Sequence, residues 1–304
     1  MSDHDESDIH GRRVDDAYEW LVDEPNVHEP ILVVMLTGWI DAAGAAAAAA
    51  DAFARECETS PLVRFDDDTF IDYRARRPIM ELRDGVNTDL VWSTIELRSG
   101  RSTSGRDVLV LTGPEPDMAW HRFAAAIGDI SEELGVTKMI AFGAYPFAAP
   151  HTRTPRLSCS SPSTEVLANV TFARSSVDVP AGMAAVLEHA FHARKIPALG
   201  IWVQVPHFVS ALPYPAASVA LLDGLTEVTG IEVAAADLRS AVVPQRQRID
   251  ASIADNSEHV TMLRQLEEMY DASTDGEATP GPAFEMRSGD ELADEIQQFL
   301  RDQD

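Results

Sequence analysis

The feature that most constrains the fold is a repeated unit in which a short apolar run is followed by a helical segment. The four runs are "ILVVML" from Ile31, "DVLVLTG" from Asp107 to Gly113, "MIAFG" from Met139 to Gly143 and "PALGIWVQV" from Pro197 to Val205. Short, continuously apolar runs are typical of parallel strands covered on both faces. The sequence therefore predicts a three-layer α/β/α core with a mostly parallel sheet, and a ligand crevice at the carboxyl ends of its strands.

The first unit could also be a membrane anchor, because apolar residues dominate it from Ile31 to Phe53. Asp41 lies near the middle of that stretch, however, and a charge there costs roughly 2.5–3.5 kcal/mol on the insertion scale. Alanine fills the stretch after Asp41, and it has the highest helix propensity of all residues. The stretch is therefore interpreted as a strand, a turn that uses Gly38 and Gly44, and a helix packed closely on the sheet.

The charge balance excludes several classes of function. The chain has 304 residues and a formal net charge of -26, which argues against binding to nucleic acid or to an anionic membrane. Only two cysteines are present, Cys57 and Cys159, so neither a disulfide framework nor a clustered zinc site is expected. No cofactor is expected, because dinucleotide and P-loop motifs are lacking. The acidic start, "MSDHDESDIH", is unlike a secretory signal, and a cytoplasmic location is expected.

Two segments depart from the strand–helix alternation. Residues 78–97 alternate in polarity around Asp84-Gly85 and predict a β-hairpin insertion. Residues 234–304 show only helical spacing and predict a C-terminal helical lid, with a Gly- and Pro-rich mobile linker at 273–288. We accordingly divide the chain into an acidic N-terminal segment at 1–29, an α/β core at 30–233 and this helical appendage.

Candidate ligand-binding residues follow the first two strands. Gly38, Trp39 and Asp41 form a turn before the alanine-rich helix, where Asp41 either orients a ligand or simply caps the helix. Gly113 and Glu115 precede the next helix. Glu115 is either a general base or an acidic residue that stabilises the helix dipole. The structural interpretation is favoured at both turns.

The other candidates follow the third and fourth strands. Gly143 opens a long loop that carries His151 and Arg153, and such loops commonly hold ligand-binding groups. Arg153 could clamp a carboxylate or phosphate and His151 could titrate near neutral pH. His207 could join the same crevice, although a histidine between apolar neighbours is more often a core residue. The sequence contains none of the catalytic motifs of serine hydrolases or zinc peptidases.

Taken together, the turns resemble those of a known family. The segments "GWIDAAGAA", "YRARRP", "GPEPDMAWHRF", "FGAYPFAAPHTRTP" and "IWVQVPHFVSALPYPAASVALL" occur in this order. The series resembles the proteasome assembly chaperone family of the second-chaperone type, in its branch from high-GC bacteria. The resemblance implies a core similar in topology to nucleoside phosphorylases and some peptidases, a hairpin used in oligomerisation, a helical lid and a homotrimer. The ending "FLRDQD" lacks the hydrophobic-Tyr-any tripeptide by which some relatives dock on proteasome rings.

Two functions of different classes follow from the sequence. The first is a non-catalytic chaperone or scaffold that binds itself and other proteins, with proteasome subunits as candidate partners. The second is a small-molecule-binding protein or a hydrolase- or phosphorylase-like enzyme that uses the crevice. The first is favoured, because similarity of topology is weak support for an activity.

Overall fold

A computed structural model describes residues 14–15, 17–254 and 256–272. The strands are β1 (Val14–Asp15), β2 (Tyr18–Trp20), β3 (Ile31–Thr37), β4 (Ser60–Phe65), β5 (Ile79–Arg83), β6 (Val86–Val91), β7 (Glu96–Arg101), β8 (Asp107–Pro114), β9 (Lys138–Phe147), β10 (Leu157–Ser160) and β11 (Ala198–Pro206). The helices are α1 (Ala45–Glu56), α2 (Asp67–Phe70), α3 (Trp120–Glu133), α4 (Thr164–Ala168), α5 (Met183–Ala193), α6 (Pro215–Thr229), α7 (Ala236–Ala254) and α8 (Ser257–Ala272). None of the described helices is long and apolar enough to cross a membrane.

Nine strands form one sheet in the order β1-β2-β4-β7-β8-β3-β9-β11-β10. The four central strands β8, β3, β9 and β11 run parallel, and they are the four strands predicted from the apolar runs. The strands outside this centre pair antiparallel with their neighbours. The predicted α/β fold with a parallel sheet at its core is therefore confirmed.

Both faces of the central strands are covered, which explains their continuous apolar runs. Along β3, Ile31 and Val33 belong to the core under α1 and α6. Leu32 and Val34 belong to the opposite core, under α3 and α5. Alternate side chains of a strand point to opposite faces, so a strand buried on both sides needs apolar residues at every position. The helices thus form the two outer layers of the fold.

The hairpin insertion is present as predicted and lies outside the main sheet. Strands β5 and β6 pair antiparallel, with Ile79 opposite Val91 and Met80 opposite Leu90. Asp84 and Gly85 form the turn, and both have positive φ angles of 50° and 83°, as tight hairpin turns require. The segment from Glu96 onward belongs instead to β7 of the main sheet.

The ends of the chain differ from the predicted pattern in their details. Within 1–29, strand β2 pairs with β4, so this part of the acidic segment extends the sheet. The helix predicted over 250–272 is divided between α7 and α8, and the Asn256 side chain accepts a hydrogen bond from the Glu258 N–H at 2.9 Å, as a helix cap does. The linker at 273–288 and the last predicted helix lie outside the described residues. The proposed domain boundaries stay predictions.

Candidate functional site

The predicted site residues lie near the carboxyl edge of the central strands, in separate environments. Asp41 accepts hydrogen bonds from the N–H groups of Ala46 at 2.8 Å and Ala47 at 3.0 Å. It thereby caps α1 across the short 3-10 turn Ala42–Gly44. Burial raises the pKa of the Asp41 carboxyl, and the backbone hydrogen bonds oppose that shift. This geometry matches the structural interpretation of Asp41.

Two of the candidate glycines are needed for close packing. Gly113 has a φ angle of 126°, and a Cβ atom there would lie 2.4 Å from the Thr94 carbonyl oxygen. A Cβ atom at Gly143 would lie 2.3 Å from Cε3 of Trp202. Because contacts this short are forbidden, both positions exclude larger residues. Gly38 has a φ angle of 116° and lies beside the Arg76 guanidinium.

Glu115 directly follows β8 in the chain, and its buried carboxylate lies against the first residue of α5. Its Oε1 atom accepts a hydrogen bond from the Met183 N–H, and its side chain is within the interior at 7% relative exposure. Burial raises the pKa of Glu115, whereas the Met183 N–H and the more distant Arg76 act in the opposite direction. Arg76 itself donates to both carboxylate oxygens of Asp117 at 3.1 Å. Among the described residues, none forms an ion pair with Glu115.

A small cavity of about 30 Å³ lies beside Glu115. Its lining comprises aromatic, aliphatic and thioether groups, namely Val34, Met35, Leu36, Trp39, Ile40, Phe142, Gly182, Met183, Ala184 and Trp202, together with Glu115. Trp39 covers it and packs on Gly182, where a Cβ atom would lie 2.8 Å from Cδ1 of the indole. A cavity of this size holds about one water-sized group. The crevice predicted from the sequence is therefore narrow beside Glu115.

His151 and Arg153 contact the C-terminal helices. The His151 side chain is fully buried, and its Nε2 atom lies 2.9 Å from Oδ1 of Asp250 on α7. Arg153 donates to both carboxylate oxygens of Asp271 on α8, at 2.8 and 2.7 Å, and contacts Glu267 at 3.3 Å. The loop after β9 thus anchors the helical appendage.

Neighbouring residues of the same loop reinforce that anchor. The Arg156 guanidinium carbon lies 3.8 Å from the centre of the Tyr270 ring, a cation–π contact. The Tyr270 hydroxyl donates to the Thr154 carbonyl oxygen at 2.5 Å. Thr152 donates to Glu267, also at 2.5 Å. Polar contacts therefore join α8 to the core, in addition to the packing of Val260 and Leu263 against it.

His207 is separated from the other candidates. It begins the 3-10 turn His207–Val209, and its side chain is exposed. Its ring packs edge-on against Phe208, with centroids 5.5 Å apart, and Phe208 packs in turn against His151 at 5.8 Å. The structure therefore does not bring His207, His151 and Glu115 into one site.

The sequence analysis missed one buried titratable residue. Glu188 on α5 lies in the interior and accepts a hydrogen bond from the Ser160 hydroxyl at 2.9 Å. Desolvation raises the pKa of Glu188 to about 7, and the Ser160 hydrogen bond opposes the shift. A carboxylate beside Leu187 in an otherwise apolar helical stretch was the signal available in the sequence. No group of three or more potential metal ligands occurs in the part of the chain that the structure describes.

The sequence model of the PAC2 family matches residues 35–253. This chain belongs to the PAC2 family. The match begins near the end of β3 and includes the strands and helices that follow, as far as most of α7, so it confirms the family resemblance inferred from the turn motifs. None of the curated proteins compared with the chain matches it.

Several solved structures have a fold similar to that of this chain. A protein from Corynebacterium glutamicum is 28% identical with a TM-score of 0.79, over 85% of this chain and 98% of that one. A proteasome-assembly chaperone homologue from Mycobacterium tuberculosis is 31% identical with a TM-score of 0.71, over 77% of this chain and 99% of that one. A PAC2 family protein from Streptomyces avermitilis is 28% identical with a TM-score of 0.70, over 77% and 99%. The Mycobacterium and Streptomyces proteins come from high-GC bacteria, in agreement with the resemblance found in the sequence.

Proposed function

We propose that this PAC2 family protein is a non-catalytic scaffold that binds proteins, that it forms a homo-oligomer through the β5–β6 hairpin, and that it acts in the manner of an assembly chaperone. The similar Mycobacterium tuberculosis protein is described as a proteasome-assembly chaperone homologue. Proteasome subunits are therefore the first partners to test, and the family resemblance favours a trimer. A cytoplasmic location is part of the same proposal.

The exposed apolar surface of the hairpin carries this proposal. Its large apolar side chains are solvent-exposed on both faces, namely Ile79, Met80, Leu82, Val86, Leu90, Val91 and Trp92. Ile79 is 70% exposed and Val86 is 61% exposed. A group of exposed apolar side chains of this kind is typical of a protein interface, because the contact of these side chains with water is unfavourable. An isolated two-stranded hairpin is also only marginally stable in water, so a partner that covers it would stabilise it.

The position of the hairpin base favours a defined interface. Tyr73 and Trp92 form an edge-to-face pair with ring centroids 4.7 Å apart. Aromatic pairs of this geometry add roughly 0.5–1.5 kcal/mol beyond the burial of their surface. Tyr73 packs against the core, so this contact attaches the base of the hairpin to the core. A hairpin attached in this way can present the same surface to a symmetry-related copy of the chain.

The alternative function, a small-molecule enzyme or binding protein that uses the crevice at the strand ends, has weaker support. Ligand pockets for drug-sized molecules usually enclose about 300–1,000 Å³, whereas the cavity beside Glu115 encloses about 30 Å³. Asp41 caps a helix, and His151 and Arg153 anchor the appendage. The predicted site residues thus have structural contacts that account for them without a substrate.

The molar mass of the protein in solution tests the oligomer. Light scattering after size-exclusion chromatography should give a multiple of 33.1 kDa for the wild type. The double variant Ile79→Glu/Val91→Glu places two charges on one face of the hairpin, and it should elute as a monomer with an unchanged circular dichroism spectrum. The control is Val243→Glu on α7, which should stay oligomeric. The exposure of Val243, 61%, lies between those of Ile79 at 70% and Val91 at 47%. A monomeric wild type, or an oligomer in the double variant, would refute the hairpin interface.

Partner binding needs a separate experiment. The wild type and the double variant are used as baits in native lysate from the same host, with crosslinking and mass spectrometry as the readout. Recovery of proteasome subunits with the wild type supports the chaperone role, and their loss with the double variant would place the hairpin or the oligomer in that contact. Recovery of no assembly subunit in either sample counts against proteasome assembly and leaves the oligomer result unaffected.

A further inference from the structure

The cavity beside Glu115 has walls suited to a positive charge. Three of its lining residues are aromatic, namely Trp39, Phe142 and Trp202, and Glu115 is its only ionisable lining residue. Aromatic faces attract cations through the ring quadrupole, and the attraction is strongest when water is excluded. A carboxylate among such rings provides the counter-charge. The cavity therefore combines the two groups that recognise an ammonium ion.

Glu115 forms no ion pair with the described residues. Its described hydrogen bond comes from the Met183 N–H, which is neutral. The charge of Arg76 acts on Glu115 without direct contact, and the Arg76 Nε atom is bound to Asp117. A buried carboxylate without a paired charge is unfavourable, because the interior solvates it poorly. A cation bound in the cavity would relieve that cost.

The size of the cavity selects the chemical class of the cation. At about 30 Å³ it has room for one water-sized group, which an ammonium group matches and a planar guanidinium exceeds. Trp39 is the most exposed of the lining residues, at 37%. A flexible alkyl stem could therefore reach the cavity past Trp39. Lysine carries a compact ammonium on such a stem.

The chain itself does not supply this lysine. It has two lysines, Lys138 and Lys195. Lys138 begins β9, at the strand edge opposite the cavity, and its Nζ atom donates to the Val228 carbonyl oxygen at 2.8 Å. Lys195 lies between α5 and β11 at the same opposite edge. The ammonium group has to come from another molecule, which the net charge of -26 would attract if it is basic.

We propose that the cavity under Trp39 binds the side-chain ammonium of a lysine presented by a protein partner, with Glu115 as the counter-ion and the three aromatic rings as its walls. The identity of the carrier rests on the proposed protein-binding function, whereas the ammonium chemistry rests on the cavity alone. The partner would thus be recognised at a single lysine.

The test titrates the full-length protein with Nα-acetyl-lysine methylamide, whose side-chain ammonium is free, and follows the tryptophan indole N–H signals by two-dimensional NMR. The signals of Trp39 and Trp202 should shift saturably, with a dissociation constant on the order of millimolar for one buried ion pair and its cation–π contacts. N-acetyl-norleucine methylamide, which lacks the charge, and N-acetyl-arginine methylamide, which is too large, should give no saturable shift at the same concentrations.

Variants locate the binding. Glu115→Gln should weaken binding by about tenfold or more, and Trp39→Leu should weaken it by a smaller factor. Glu96→Gln removes the same charge from β7 and should leave binding unchanged. If Glu115→Gln does not fold, Trp39→Leu and the three ligands still decide the question.

Absence of saturation with the lysine ligand would overturn the proposal, and so would equal responses to all three ligands. Either result would mean that the cavity does not bind a lysine ammonium selectively. The molar-mass experiment on the hairpin is independent of this outcome, so failure of the lysine site is distinguishable from failure of the scaffold function.

Discussion

The hairpin and the C-terminal helices are both additions to the same α/β core, and they differ in how much of their apolar surface is exposed to solvent. The hairpin exposes apolar side chains such as Ile79 and Val86. Helix α8 instead buries Leu266, packs Val260 and Leu263 against the core, and forms polar contacts with Arg153 and its neighbours. The apolar surface of the hairpin is thus exposed to solvent in the monomer, whereas α8 packs against the core of the same chain.

This difference separates two kinds of stability. Burial of apolar surface stabilises roughly in proportion to area, so the hairpin gains most when another copy covers it. Exposed ion pairs contribute little and are weakened by salt. We therefore expect the hairpin to govern the association of subunits and the appendage to open locally without dissociation. The following experiments can break or sharpen that distinction.

The largest expected effect is on the concentration dependence of thermal unfolding. An oligomer that dissociates on unfolding has a Tm that rises with protein concentration. The wild type should show this rise. The variant Met80→Glu/Leu90→Glu, which alters the cross-strand pair on the second face of the hairpin, should lose it. Differential scanning calorimetry over a wide concentration range measures both. A wild-type Tm that is independent of concentration would contradict hairpin-driven association.

The next effect concerns the single buried side chain of α8. Leu266→Ala should destabilise the docked helix by about 2–3 kcal/mol, as expected for a large-to-small change in a packed site. Leu82→Ala in the hairpin is the matched control, because Leu82 is exposed. In a monomeric background it should change stability by less than about 0.5 kcal/mol. Hydrogen exchange of the α8 amides and urea unfolding measure the loss of stability caused by each substitution. An equal loss at both sites would remove the distinction between the hairpin and the appendage.

A smaller effect is expected from the ion pairs. Arg153→Gln removes the paired contact with Asp271, so the α8 amides should exchange faster than in the wild type, but less so than in Leu266→Ala. The increase should shrink at high salt, because screening already weakens the wild-type pair. Arg83→Gln, which breaks the hairpin pair with Glu81, should not affect α8. An increase that is independent of salt would indicate that Arg153 acts through packing.

The smallest effect is a dependence on acid pH. The Arg153 hydrogen bond holds the pKa of Asp271 below its ordinary value of 3.8. A lowered folded-state pKa stabilises docking above the ordinary value, and this contribution is lost as the pH falls through the lowered pKa. Exchange of the α8 amides should therefore accelerate below about pH 4, and Asp271→Asn should remove that response. An unchanged response in Asp271→Asn would assign the titration to another group.

Much of the fold could be predicted because its signals are local. Each central strand is buried on both faces, and this leaves a continuous apolar run such as Ile31–Thr37. The hairpin turn needs positive φ angles, which Asp84 and Gly85 supply from the sequence itself. The antiparallel strands β2, β4, β7 and β10 were not predicted. They are short and only partly buried, and their pairing depends on distant partners.

The candidate site shows the opposite balance. The sequence placed Asp41, Glu115 and His151 after strand ends, because the carboxyl ends of parallel strands share an edge. It could not show that His151 meets Asp250, 99 residues away, or that Arg153 meets Asp271, 118 residues away. It also could not show that Trp39 closes the cavity beside Glu115.

The sequence by itself thus determined the parallel centre of the sheet, the hairpin and the family, because periodicity, turn chemistry and motif order are properties of neighbouring residues. The tertiary structure decided which polar groups have partners. That outcome depends on contacts between segments that are far apart in the chain. Such contacts pair Arg153 with Asp271 and leave Glu115 without an ion pair among the described residues.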